Sequence, residues 1–218
     1  MRLIRAGRTR KTAALVLGIV LFSYSLGFAG VYKLPLRYSL TFNHDIRHAD
    51  ENFYANRLET LLVKKINSSP GKEVSLKVIP FVEVRHNVAR RKKERVSAGV
   101  ELGFNWRDFF YLGEQLRQVW RSEPVYNRGV IKDTDMFEAL SIVSLSRQLI
   151  PGKDILKGYI SGEYTYDFRL GRGTRIEAIA GVLIPLGKEA RLNLDWRHRD
   201  RIHADDCDTF EAGVAYNF

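Results

Sequence analysis

From Leu36 to the last residue, segment after segment places apolar side chains at every second position with charges on the opposite side. A period of two belongs to the β-strand, whose successive side chains point to opposite faces. Leu36 to Phe42 sets Leu36, Tyr38, Leu40 and Phe42 against Arg37, Ser39 and Thr41. Glu73 to Arg85 sets Val74, Leu76, Val78, Pro80, Val82 and Val84 against Lys77, Glu83 and Arg85. Arg95 to Trp106 sets Val96, Ala98, Val100, Leu102, Phe104 and Trp106 against Arg95 and Glu101. Ile155 to Arg169, Arg175 to Ile184 and Ala190 to Arg199 repeat the pattern, the last two opposing Arg175 and Glu177, then Arg191, Asn193, Asp195 and Arg197, to apolar faces.

Two segments are less regular. Phe53 to Ile66 has a blurred phase. Asp108 to Trp120 places Glu114 and Gln118 on the face of Phe110, Leu112, Leu116 and Trp120, which predicts a strand whose phase is switched by a bulge. A helix stays open there as the alternative, because Leu112, Leu116 and Val119 also fit helical spacing. With Met136 to Gln148 and the carboxy-terminal segment the strands number ten, at about 19 residues per strand and connection; eight and twelve stay open. The predicted fold is all-β: a closed antiparallel up-and-down transmembrane β-barrel. Strands can present an apolar face to hydrocarbon only if every backbone N–H and C=O is paired, so the sheet must close on itself.

The two ends of the chain point the same way. Met1 to Lys11 carries five basic residues and no acidic one, and Ala13 to Ala29 is an almost unbroken apolar run ending in small residues at Gly27 and Ala29. This is the pattern of a cleavable signal peptide over 1–29, with the barrel occupying 30–218; a retained single anchor is the other reading. Five of the ten excess positive charges fall in this leader, so the basic composition does not indicate a nucleic-acid partner. One cysteine, Cys207, rules out an intrachain disulfide. At the other end Phe210, Ala212, Val214, Tyr216 and Phe218 alternate with Thr209, Glu211, Gly213, Ala215 and Asn217.

That last strand, ending in Phe with Tyr two positions earlier, resembles the carboxy-terminal signal of small bacterial outer-membrane β-barrel proteins. The resemblance is to a class, with no specific family. It implies a porin-like protein of the Gram-negative outer membrane and an assembly signal at Phe210, Val214, Tyr216 and Phe218 read by the barrel assembly machinery. It also implies a carboxy terminus in the periplasm. Asn67 to Lys72, Trp106 to Asp108, Pro151 to Asp154 and Pro185 to Glu189 are then short periplasmic turns. The longer, charged connections Asn43 to Asn52, His86 to Glu94, Arg121 to Asp135, Leu170 to Thr174 and Asp200 to Asp208 lie outside.

Facing the lumen the alternation places Arg57, Glu59, Lys77, Glu83, Arg95, Glu101, Glu138, Glu163, Arg175, Glu177, Arg191, Asp195, Arg197 and Glu211. Both signs are present, so the expected interior is a charged, largely occluded tube in a structural or surface-interaction protein, with a narrow passive channel as the alternative. Aromatics near segment ends, Trp106, Phe109, Tyr111, Trp120, Tyr166, Phe168, Trp196, Tyr216 and Phe218, are expected at the membrane interfaces. All five histidines lie in or beside the external loops with several aspartates. A rim hydrolase or acyltransferase is a third reading, with His198, His203, Asp205 and Asp206 as its candidates. Cys207 lies between Asp206 and Asp208, neighbours that argue against a reactive thiol. Arg90, Arg91, Lys92 and Lys93, with Arg85 and Arg95 around them and Arg197, Arg199 and Arg201 beside another loop, are candidates for lipid headgroups, lipopolysaccharide included. No cofactor or metal is expected, a non-enzymatic role is favoured, and the partners expected are outer-membrane lipids, with the chain a monomer. Intact-mass or amino-terminal analysis of the protein recovered from membranes of expressing cells is expected to begin at Gly30; a chain beginning at Met1 would mean that the apolar run stays as an anchor.

Overall fold

The computed structural model describes residues 35–46, 52–67, 73–88, 92–107, 109–121, 126–127, 130–131, 135–150, 155–202 and 206–218. The leader over 1–29 lies outside them. The strands are β1 (Leu36–Asp45), β2 (Phe53–Thr60), β3 (Leu62–Asn67), β4 (Val74–Asn87), β5 (Lys92–Trp106), β6 (Phe110–Arg121), β7 (Tyr126–Asn127) and β8 (Val130–Ile131). They continue with β9 (Asp135–Gln148), β10 (Lys157–Asp167), β11 (Arg172–Pro185), β12 (Ala190–Asp200) and β13 (Cys207–Asn217). Neighbours pair antiparallel in chain order, and the sheet closes where β1 pairs with β13, Leu40 facing Val214. The short pair β7 and β8 forms its own hairpin within the connection from β6 to β9.

β2 and β3 are one stave. Both pair with β4 in a single register, Glu59 facing Phe81 and Leu62 facing Val78. Thr60 and Leu61 thus lie opposite Pro80 and Ile79, and proline has no N–H to give to the ladder. The phase of this segment is blurred because apolar Phe53 and Ala55 share the inward face with Arg57 and Glu59, while the Leu61 N–H points to the other neighbour and continues the β1 ladder, donating to the Pro35 carbonyl at 3.1 Å. Counted as staves, ten strands close the barrel, as the alternation predicts.

The irregular fifth segment is an unbroken strand. β6 keeps one register with β5 and with β9 throughout, so neither a bulge nor a helix forms there. Glu114 and Gln118 really do share the outward face with Leu112 and Leu116, and Glu114 accepts a hydrogen bond from Ser141 Oγ at 2.7 Å, directly across the ladder. The same parity turns Tyr111 inward rather than to an interface, correcting its expected place among the interfacial aromatics: its hydroxyl donates to Glu101. Register shifts fall instead at Arg85/His86 and Thr165/Tyr166, near the long-loop end, and at Lys65/Asn67, near the short-turn end.

The outward positions carry the apolar side chains, with Leu102 55 %, Ile160 58 % and Phe210 55 % exposed. Aromatic pairs gather at both ends. Trp106 with Phe109 and Tyr216 with Phe218 lie at the end holding the carboxy terminus, and Phe137, Tyr166 and Phe168 near the long loops. Staves approach closely where a glycine faces inward. A Cβ on Gly99 would lie 2.2 Å from the Leu116 carbonyl oxygen and 2.9 Å from Arg117 Cα, both backbone atoms. Gly99→Ala is expected to cost about 1–3 kcal/mol, because β5 and β6 would have to part. Urea unfolding of the detergent-solubilised protein, followed by tryptophan fluorescence, measures it; an unchanged midpoint would show that this contact is soft.

Candidate functional site: the barrel interior

In the barrel interior many of the charged side chains meet as ion pairs. Glu59 on β2 pairs with Arg37 and, at 2.7 Å, with Arg57. Arg57 reaches Glu101 on β5 at 3.4 Å, Gln115 on β6 donates to Glu101 at 3.0 Å, and Arg117 donates to Gln115 and binds Glu138 on β9 at 2.8 Å. On the other wall Arg197 of β12 binds Glu177 at 2.5 Å, Glu163 at 3.2 Å and Glu211 at 3.2 Å, and Asn43 donates to Glu211 at 2.7 Å. Glu177 also takes Arg175 at 2.6 Å and Arg199 at 2.8 Å. Arg95 binds Glu83 at 3.1 Å.

Seven arginines and seven glutamates therefore neutralise one another in a girdle around the interior. Charge taken out of water is tolerable only when so paired. Toward the long loops the girdle is backed by inward apolar side chains: Phe53, Phe81, Val119, Met136 and Leu140 are buried, Val119 wholly. The Arg57 guanidinium lies 4.0 Å over the Phe81 ring and that of Arg85 3.3 Å over Phe53. In this half Asp45, Asp167, Cys207 and Thr209 are each 1 % exposed. Toward the chain termini the interior widens into a cavity of about 580 Å³ whose wall includes Arg37, Lys77, Tyr111, Ser144, Lys157, Tyr159, Arg191 and Asn193.

Several inward residues escape an alternation reading. Arg117 and Gln115 were hidden by the uncertain phase of β6, and the apolar Phe53, Phe81, Val119, Met136 and Leu140 carry no charge to mark them. Arg85, Arg95, Arg197 and Arg199, grouped by sequence with the external basic clusters, turn into the barrel and bind Glu94, Glu83, Glu163 and Glu177, so they are not headgroup ligands. Period-two parity of β4, β5 and β12 was the signal that separates them from loop residues. Arg90 and Arg91 lie outside the described residues, and Lys92 and Lys93 begin β5.

His198 faces outward beside Trp196, its Nδ1 3.0 Å from Asp208 Oδ1, while Asp206 is exposed and His203 and Asp205 lie outside the described residues. His86 stacks on Tyr54 with ring centroids 4.8 Å apart. Cys207 points to the opposite face from Asp208, and its Sγ meets Arg201 Nη2 at 3.4 Å and Arg199 Nη1 at 3.8 Å, so its contacts are cations rather than its acidic chain neighbours. Among the described residues no group of three His, Cys, Asp or Glu side chains is placed to hold a metal ion.

A closed antiparallel sheet with its charges inside and its apolar residues outside inverts the plan of a soluble barrel and defines the class of fold. No known protein family matches the chain, and no curated protein matches it. Among solved structures it is similar to the NanC porin, at 9 % identity and a TM-score of 0.46 over 83 % of this chain and 100 % of that one. It is similar also to the KdgM porin, at 12 % and 0.44 over 85 % and 99 %, and to the beta domain of the Bordetella autotransporter BrkA, at 16 % and 0.41 over 85 % and 99 %.

Glu177 neutralises three arginines, whereas among the described residues Glu163 pairs with Arg197 alone. Glu177→Ala is expected to destabilise the barrel by about 3–5 kcal/mol, the cost of leaving buried charge unpaired, and Glu163→Ala by clearly less. Denaturant midpoints of the two variants in one detergent compare them directly, and equal midpoints would refute the hub role of Glu177.

Proposed function

We propose that the chain is a small outer-membrane β-barrel acting as a structural or surface-interaction protein, its interior blocked in the half nearer the long loops. The observation carrying this reading is the neutral Arg–Glu girdle packed against Phe53, Phe81, Val119, Met136 and Leu140. A membrane setting is supported by the exterior. On β6 the outward aromatics Phe110 and Trp120 stand ten residues apart, about 33 Å along the strand and roughly 25 Å along the axis at the usual tilt, the height of an outer-membrane apolar band. An all-round exterior of exposed Leu, Ile, Val and Phe is hard to keep in water.

The exposed outward row Phe210, Val214, Tyr216 and Phe218 on the closing strand is available to the assembly machinery. By the resemblance to this class, the short-turn end faces the periplasm and the long loops face outward. The basic run Arg90, Arg91, Lys92 and Lys93, which the sequence assigns to an external connection, is then proposed to meet lipid headgroups, where phosphate groups are the natural counterions. Planar-bilayer recording of the protein solubilised from membranes is expected to show insertion without steady single-channel steps. Reproducible conductance that changes with Glu101 or Arg191 substitution would replace this reading with the narrow channel.

A further inference from the structure

Along the outward face of β6 one acid breaks the rule that the exterior is apolar. Glu114 stands exposed between Leu112 and Leu116, with Leu102 of β5 and Ser141 of β9 directly across the ladder. It lies four residues from Phe110, about 13 Å along the strand and about 10 Å along the axis, well inside the apolar band. From that depth a glutamate side chain is too short to reach the headgroups, as a long basic side chain at a strand end can. Asp135, Asp200 and Asp208, which also face outward, stand instead at the long-loop ends of their strands.

Among the described residues Glu114 enters no ion pair, and its one hydrogen bond comes from Ser141 Oγ at 2.7 Å. A carboxyl group has room for more partners than one hydroxyl, and hydrocarbon supplies none. A second protein surface would supply them, and the exterior beside Glu114 admits one. Ala139 and Ser141 on β9, Gly162 on β10 and Ala178 on β11 follow around the wall, and a Cβ on Gly162 would meet nothing within 4 Å. Small side chains let a neighbouring backbone come close.

Two physical arguments make that partner a second copy of this chain. Copies inserted in one membrane share an orientation, so a two-fold axis runs along the membrane normal and each residue meets its counterpart at the same depth. A carboxyl group is also its own complement. Holding a proton, it donates through O–H and accepts through C=O, so two such groups satisfy each other, whereas two ionised ones would repel. We infer that the barrel self-associates in the membrane as a two-fold dimer through the outward face of β6 and β9, its two Glu114 carboxyls hydrogen-bonded to each other and each still accepting from Ser141. The dimer takes the place of the monomer expected from sequence and rests on the membrane reading proposed above.

Thiol cross-linking in membranes of cells expressing the full chain tests it. Cys207→Ser removes the native thiol. Leu116→Cys then places one beside Glu114, and Val214→Cys places one on β13, five staves from β6 in either direction. A short bis-maleimide is expected to convert the Leu116→Cys protein to a species of twice the mass, and the Val214→Cys protein about tenfold less or lower still. Adding Glu114→Leu is expected to weaken dimer formation about tenfold or more, the weight of a hydrogen bond to an acid group. Glu114→Gln, whose amide is likewise its own complement, is expected to keep it. Heat-modifiable gel mobility shows whether each variant is folded, and the Val214→Cys and Glu114→Gln comparisons decide if Glu114→Leu is not. The inference is overturned if folded Leu116→Cys protein in the membrane stays monomeric or cross-links to a protein of another mass, if Val214→Cys cross-links equally, if Glu114→Gln loses the dimer, or if Glu114→Leu keeps it unchanged. Protein absent from the outer-membrane fraction would overturn the membrane reading, and the dimer with it.

Discussion

Backbone pairing that runs round the sheet and meets itself is the constraint on which the rest of this structure depends. β1 bonds to β13 on one side and to β2 on the other, so each stave of the barrel has a paired neighbour on both sides. Because the ladder alone satisfies the backbone, the outward side chains are released from any duty to pack against a second layer and can be apolar all round. The one proline in the interior of a stave shows how tight the demand is. Opposite Pro80, which has no N–H to give, the stave is interrupted between β2 and β3, while on its other side the Leu61 N–H still carries the β1 ladder to the Pro35 carbonyl.

Closure at ten staves leaves a narrow interior, and narrowness forces its side chains on one another. Arginine suits this space, since its fork can serve two or three carboxylates at once, as Arg197 does for Glu163, Glu177 and Glu211. The girdle is charged yet neutral, and behind it aromatic and aliphatic residues exclude water. The cavity on the terminal side departs from that balance: among the described residues, Lys77, Arg191 and Asp195 on its wall enter no ion pair. One half of the tube is therefore lined by buried apolar and paired charged side chains, and the other by a cavity.

The exterior has its own exception. Glu114 stands on the outward face among Leu102, Leu112 and Leu116, and the hydroxyl of Ser141 beside it supplies a hydrogen bond that an apolar neighbour would not. A single polar pair of this kind made β6 look irregular, since a charge on the apolar face reads as a change of phase. The backbone had no such change. The charge is accommodated by a side chain on a strand more than twenty residues away in sequence.

The period-two pattern, the punctuation between strands and the two chain ends were enough to determine an all-β closed barrel of ten staves and the inward side of each regular strand, because which face a residue occupies depends only on parity along its own strand. Which inward residues meet depends on the stagger of the staves around the ring. Asn43 and Glu211 are 168 residues apart and bond only because β1 closes on β13. Tertiary structure alone decided that Glu177 gathers three arginines, that Phe53, Phe81, Val119, Met136 and Leu140 are buried in one half of the interior, and that Lys77, Arg191 and Asp195 line one cavity. Parity is local, whereas partnership is set by register and curvature summed over the whole ring, which a strand does not carry in its own residues.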